Sequence, residues 1–146
     1  MSDYTFRSLM PDELPSVLEA WAGTFRSSRY AGCIPNDKFY AVTYDAITQL
    51  INRGMQITAL VLSSRPEQVL AWVAHEQDTK DLTNPQPIVH YLFTKAAFRK
   101  RGLSRLLMDH IGAVKGSRFI YTFCTSYAKH FAGGYHMPSL ARRALL

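Results

Sequence analysis

Cysteine is scarce in this sequence: Cys33 and Cys124 are the only two in 146 residues. Two isolated thiols without metal-ligand spacing exclude a disulfide framework and imply no metal, so both are expected to be buried free thiols. Long apolar runs are missing too. None approaches the ~18 residues needed to span a bilayer, so no membrane partner is expected. The opening Met1-Ser2-Asp3-Tyr4 has no secretory pattern, and a cytoplasmic protein is the expectation. There are no internal repeats, no low-complexity tracts and nothing resembling an interdomain linker. A single domain over 1–146 follows, with a hydrophobic share of 47% to build one core. Acidic residues are outnumbered, 11 against 17 Lys and Arg, for a formal charge of +6. That excess suits an anionic partner. No RNA- or DNA-binding motif accompanies it, so nucleic acid is not the expected one.

The positive charge is concentrated. Arg99, Lys100, Arg101 and Arg105 place four cations within seven positions, and a second basic pair, Arg142 and Arg143, lies near the C-terminus. Before this cluster, Ile88, Val89, Tyr91, Phe93 and Thr94 favour a strand over Ile88 to Thr94. After it, Leu103, Leu106, Leu107, Met108, Ile111 and Val114 recur at helical spacing, predicting a helix with one apolar stripe that Gly116 closes. The basic turn therefore sits at a helix N-terminus, where unpaired amides and the positive end of the helix dipole favour an anion. Gly102 has no Cβ to keep that anion away from the backbone, and the four cations add charge-assisted donors. Strand, basic glycine turn and helix together suit a pyrophosphate.

The remaining pattern predicts a first strand at Tyr4 to Leu9, then a helix through Leu14, Val17, Leu18, Trp21 and Phe25 capped by Ser8 or Asp12. Arg26 to Lys38 reads as a loop, and Phe39 to Asn52 as a second helix ended by Gly54. Strands at Ile57–Leu62 and Val69–Ala74 are expected to be joined by Ser63 to Gln68. A polar stretch from Asp78 to Pro87 precedes the strand at Ile88. After the long helix, Phe119 to Cys124 reads as a strand and Ser126 to Ala132 as a short helix stopped by Gly133-Gly134.

The run Arg99-Lys100-Arg101-Gly102-Leu103-Ser104 resembles the acetyl-coenzyme A loop of the GCN5-related N-acetyltransferases (GNAT). That loop reads Arg or Gln, two residues, Gly, one residue, then Gly or Ala. Ser104 departs from the last position, but serine is small enough to leave its amide accessible. The preceding strand, Phe98 and the following helix fall at family spacing, and the element order β-α-α-β-β-β-α-β-α matches over nearly the whole chain. The resemblance implies an α/β fold with a mixed, mostly antiparallel central sheet flanked by helices. Family members finish with a further pair of strands, whereas only Tyr135 to Leu146 remain here. A shortened C-terminal sheet edge is implied, and an open edge of that kind suggests a homodimer.

The activity implied by the resemblance is transfer of an acetyl group from acetyl-coenzyme A to a small-molecule or peptide amine by direct attack. The amine attacks as a free base, so a group titrating near neutrality has to take its proton, and the leaving thiolate gains from a proton donor. His90, nine positions before Arg99, resembles the histidine of arylalkylamine members and is the first candidate for the base. Glu76, beside His75, is the alternative. A histidine satisfied within the sheet and a surface carboxylate are their ordinary structural readings. Tyr127 lies where the family places its proton donor, but the register fits imperfectly, and His130 and Tyr135 stay open as alternatives. By resemblance the amides near Leu92 and Thr94 hold the pantetheine arm while Phe93 packs. Arg99, Lys100, Arg101, Gly102, Leu103, Ser104 and Arg105 surround the phosphates. Tyr30, Tyr40 and Tyr44, with Arg26 and Arg29, fall on the acceptor side, although a helical pair such as Tyr40 and Tyr44 also suits a core. Lys129 and Cys124 read as structural. A catalytically silent relative that binds coenzyme A or a protein partner is the competing reading.

Overall fold

The computed structural model describes residues 3–26, 35–52, 54–78, 86–113, 119–121 and 134–136. The chain forms β1 (Tyr4–Ser8), α1 (Leu14–Arg26), α2 (Asn36–Asn52), β2 (Gln56–Leu62), β3 (Arg65–Asp78), β4 (Gln86–Thr94), α3 (Leu103–His110), β5 (Phe119–Tyr121) and β6 (Gly134–His136). Single 3-10 turns lie at Pro11–Glu13 and Ala96–Phe98. All six strands make one sheet in chain order. β1 to β4 pair antiparallel, and β4–β5 and β5–β6 pair parallel. This is the mixed, mostly antiparallel sheet implied by the resemblance, and its last described strand is Gly134–His136. Parallel neighbours need a crossover, which α3 provides between β4 and β5.

Two cores sandwich the sheet. On one face Val17, Trp21 and Ala22 of α1 and Phe39, Ala46, Ile47 and Leu50 of α2 pack on Ala59, Val61, Trp72 and Tyr91. On the other, Leu103, Leu107 and Met108 of α3 pack on Leu60, Leu70, Val73 and Val89. With both faces covered, β3 is apolar at every position from Val69 to Ala74 instead of alternating. Stacked aromatic rings tie α1 to the sheet: Trp21 lies parallel to Tyr91 with centroids 5.5 Å apart, and Trp72 stands 4.9 Å from Tyr91.

Several boundaries differ from the sequence expectation, each for a local reason. Neither Ser8 nor Asp12 caps the first helix. Instead the Met10 N–H donates to Glu13 Oε1 at 2.9 Å, and Arg7 grips the same carboxylate at 2.7 and 2.9 Å. That guanidinium holds the Glu13 carboxyl below the usual carboxylate range. α2 starts at Asn36, not Phe39, with the Phe39 N–H donating to Pro35 O. Strands β2 and β3 meet at a two-residue turn, Ser63-Ser64, because Leu62 pairs with Arg65 and the extra residues before Val69 are absorbed as a bulge. α3 ends at His110, well before Gly116. The glycine that stops it is Gly112 at φ 88°, with Gly112 N–H donating to Asp109 O and Ala113 N–H to Met108 O. Those two bonds form a Schellman motif. Leu106 is 39% exposed and does not share the apolar stripe. The expected helix at Ser126 to Ala132 lies outside the described residues.

The placement of α3 generates a paired prediction. Leu107→Ala, at a site with 0% exposure, should cost about 2–5 kcal/mol in urea unfolding. Leu106→Ala should cost under about 0.5 kcal/mol, and equal losses would contradict this orientation of the helix.

Candidate functional site

Backbone geometry between β4 and α3 leaves a run of donors unused. The β3–β4 ladder closes with Lys95 N–H donating to Leu70 O at 3.0 Å. The 3-10 turn then uses Phe98 N–H, to Lys95 O, and Arg99 N–H, to Ala96 O. The next bond is the first of the helix, Leu106 N–H to Gly102 O at 3.2 Å. Between them, the N–H groups of residues 100 to 105 have no acceptor among the described residues. Lys100 at φ 66° and Gly102 at φ 75° are left-handed. Such turns gather successive N–H groups into an anion-binding concavity, here at the positive end of α3. For Lys100 the left-handed conformation costs about 1–2 kcal/mol, a local strain of the kind that collects at binding sites.

Side chains around the turn divide into two groups. Lys100, Arg101 and Arg105 are exposed, with the Arg101 guanidinium 5.5 Å from the Phe98 ring centroid. Arg99 is exposed too, with its Nε donating to Thr94 O at 3.1 Å and its main-chain N–H used by the 3-10 turn. The Thr94 and Ser104 hydroxyls lie 3.0 Å apart and join the strand end to the helix start. Leu103 is buried at 2% exposure, anchoring the first turn of α3 while its amide stays unpaired.

Along the adjoining edge of β4 the described pairing with β5 covers Ile88 and Val89, and from His90 to Thr94 that edge has no strand partner among the described residues. Main-chain groups of an antiparallel strand alternate in direction. Because Lys95 bonds to β3, Leu92 and Thr94 turn their amides away from β3, toward the opposite edge of β4. Phe93 packs beside Trp72 and Tyr91, with centroids 5.6 and 6.2 Å away.

The two candidate bases are partners. His90 Nε2 lies 3.0 Å from Glu76 Oε1, and their side chains are 1% and 12% exposed. A register shift between Ala74 and His75 makes His90 the extra residue of a bulge, one position past the last described β4–β5 pair, Val89 with Tyr121. His75, on the other side of Glu76's strand position, lies 2.8 Å from Thr58 Oγ1 through Nε2. Burial first, then the nearby His110 and His90, push the His75 imidazole below its ordinary value. His110 itself is stacked on Phe6 at 4.0 Å. The sequence pattern gives no sign of the bulge, which alone brings His90 to Glu76.

On α2 the Tyr40 and Tyr44 rings lie 5.9 Å apart; Tyr40 is half-buried against the core and Tyr44 exposed. Tyr30, Arg29, Cys33, Cys124, Tyr127, Lys129, His130, Arg142 and Arg143 lie outside the described residues, and the side chains of Arg26 and Tyr135 do too. Among the described residues no helix is long and apolar enough to cross a membrane, and no cluster of three His, Cys, Asp or Glu side chains is placed to hold a metal.

No protein-family model matches the sequence, and no curated protein matches it. Solved structures do. The chain is similar to a possible acetyltransferase from Clostridium difficile 630, with 13% identity, TM-score 0.56, and 75% of this chain and 69% of that one covered. It is also similar to a GCN5-related N-acetyltransferase from Ralstonia eutropha JMP134, with 16% identity, TM-score 0.52, and coverage of 95% and 90%. A third is the GCN5-related glucosamine N-acetyltransferase region of a fungal multi-domain GH3 β-N-acetylglucosaminidase, at 15% identity and TM-score 0.52, covering 76% of this chain and 12% of that one. At these identities the likeness establishes the fold, which is that of the GCN5-related N-acetyltransferases.

The tuned His75 predicts a pH effect. Its folded pKa lies below the unfolded one, so the unfolded state binds more protons and stability falls as pH drops below about 6.5. His75→Gln should flatten that loss in urea unfolding compared at pH 7.5 and 5.5. An unchanged slope would contradict the burial assigned to this ring.

Proposed function

We propose that the protein is an N-acetyltransferase that moves an acetyl group from acetyl-coenzyme A to an amine acceptor by direct attack. The observation that carries this reading is the run of unpaired amides over residues 100–105, next to the edge of β4 that has no partner from His90 to Thr94 among the described residues. The resident groups fit the cosubstrate: amides and cations for its diphosphate, and the Leu92 and Thr94 amides for the amide-bearing pantetheine arm. When bound, acetyl-coenzyme A supplies an activated thioester.

The chain's own residues then have distinct tasks. Amides 100 to 105, with Lys100, Arg101 and Arg105, hold and orient the phosphates. The open edge of β4 aligns the arm along the sheet. The Glu76–His90 pair takes the proton of the acceptor amine. With its ring 1% exposed, His90 reaches the acceptor through Glu76, the more open member, and shares the proton across 3.0 Å. Tyr127 is assigned as proton donor to the departing thiolate on the family resemblance alone. Small-molecule and peptide amines both suit this chemistry. The burial of His90 favours one competing reading, a coenzyme A-binding module without catalysis.

Calorimetry with acetyl-coenzyme A tests the cradle, and micromolar binding is expected. Gly102→Glu should abolish it: a Cβ there meets open space, so the loss comes from the φ of 75° and from a carboxylate facing an anion. Binding equal to wild type would overturn the loop assignment. Thiol release across peptides, polyamines and arylalkylamines tests catalysis. His90→Ala should lower the rate at neutral pH by about 10²–10⁴-fold while leaving cofactor affinity nearly intact. An unchanged pH–rate profile removes His90 from the mechanism, and binding without turnover on any amine favours the silent module.

A further inference from the structure

Main-chain support for β3 thins on both sides at one place. Gln56 with His75 is the last β2–β3 pair among the described residues, so Glu76 is the first residue of β3 beyond β2. Toward β4 the register shifts between Ala74 and His75, which interrupts the ladder there as well. Glu76 nevertheless stands 3.0 Å from His90, and lengthening that contact by about 0.6 Å would end the hydrogen bond. We infer that Thr58 and His75 are positioning residues for the proton transfer, their hydrogen bond fixing β3 where it presents Glu76 to His90. The kinetic consequence rests on the proton-transfer reading above, whereas the positioning itself rests on geometry alone.

The two contacts lie on opposite faces of the sheet. Trp72 and Ala74 belong to the core under α1 and α2, and Val73 to the core under α3. Alternation along β3 therefore turns Glu76 to the first side and His75 to the second. On β2, Ala59 and Val61 face α1 and α2 while Leu60 faces α3, which sets Thr58 on the same side as His75. There Thr58 Oγ1 and His75 Nε2 lie 2.8 Å apart. The bond is diagonal, because Thr58 itself pairs with Val73, two residues before His75.

That bond ties β3 to β2 one residue before Glu76. Neighbouring residues of a strand stand about 3.3 Å apart on one backbone, so a displacement of His75 is passed on to Glu76. The β-branched Thr58 side chain has few rotamers, which makes it a stiff anchor. Thr58 and His75 touch neither reacting group from this face; they act through Glu76.

Isotope-labelled full chain tests the inference with a readout that needs no substrate: the ring-nitrogen NMR resonances of His90, with Glu76→Ala as the reference for a ring deprived of that carboxylate. Thr58→Val, similar in shape but without the hydroxyl, should move these resonances toward the Glu76→Ala positions. Thr58→Ser, which keeps the hydroxyl, should leave them as in wild type. His75→Leu should act like Thr58→Val, and the double variant Thr58→Val/His75→Leu should move them no further, because the two residues act through one bond. In thiol release, Thr58→Val should lower kcat about three- to tenfold, the scale of one hydrogen bond between neutral groups. KM for acetyl-coenzyme A should stay unchanged, and Thr58→Ser should restore the rate. Unchanged His90 resonances in folded Thr58→Val overturn the inference and leave the proton-transfer reading standing. Equal shifts in Thr58→Val and Thr58→Ser also overturn it, as does an active wild type whose kcat Thr58→Val matches. If Thr58→Val shifts the resonances but wild type releases no thiol with any amine, the positioning stands and the proton-transfer reading falls. Should Thr58→Val fail to fold, His75→Leu decides by the same resonances.

Discussion

The physical constraint on which the rest depends is the left-handed turn that interrupts hydrogen bonding between β4 and α3. A strand running straight into a helix would still leave a few amides unpaired, since every helix start does. Here Lys100 and Gly102, both at positive φ, extend that deficit over residues 100–105 and curl it into a concavity. Unpaired amides persist only where water or a ligand satisfies them. The buried side chains of Leu103 and Leu107 hold α3 against the sheet, which fixes where these donors stand.

The sheet serves the same end. Among the described residues β5 pairs with β4 at Ile88 and Val89, and His90 follows directly on β4. The bulge that sets His90 out of register also brings it to Glu76. The neighbouring His75 meets burial and two histidines, which together hold its imidazole below the ordinary range.

Much of this was legible in the sequence because the signals were local. Strands β2 to β4, both long helices and the basic turn follow from periodicity and from Gly102. The errors arose where one signal had two carriers. Gly112 and Gly116 both suit a helix stop, and only the Schellman bonds of Gly112 and Ala113 decide between them. Ser8 and Asp12 are ordinary caps, but the Arg7–Glu13 pair, set by β1 passing beside the turn, supplants them. The continuous apolar run Val69 to Ala74 hides its own strand ends, so β3 proved longer at both. His90 and Glu76 were each legible as candidates. Their contact was not, because a bulge depends on strand register, which no short pattern in either strand encodes. The Thr94–Ser104 bond spans ten residues of chain and depends on how α3 docks.

The central claim is that the main chain of the turn is the phosphate-binding element, and backbone NMR with coenzyme A as titrant reads it directly. Amide resonances of residues 100 to 105 should move together with those of Leu92 and Thr94, while β2 and the far end of α2 stay still. Shifts confined to other parts of the molecule, or none at saturating coenzyme A, would contradict the account.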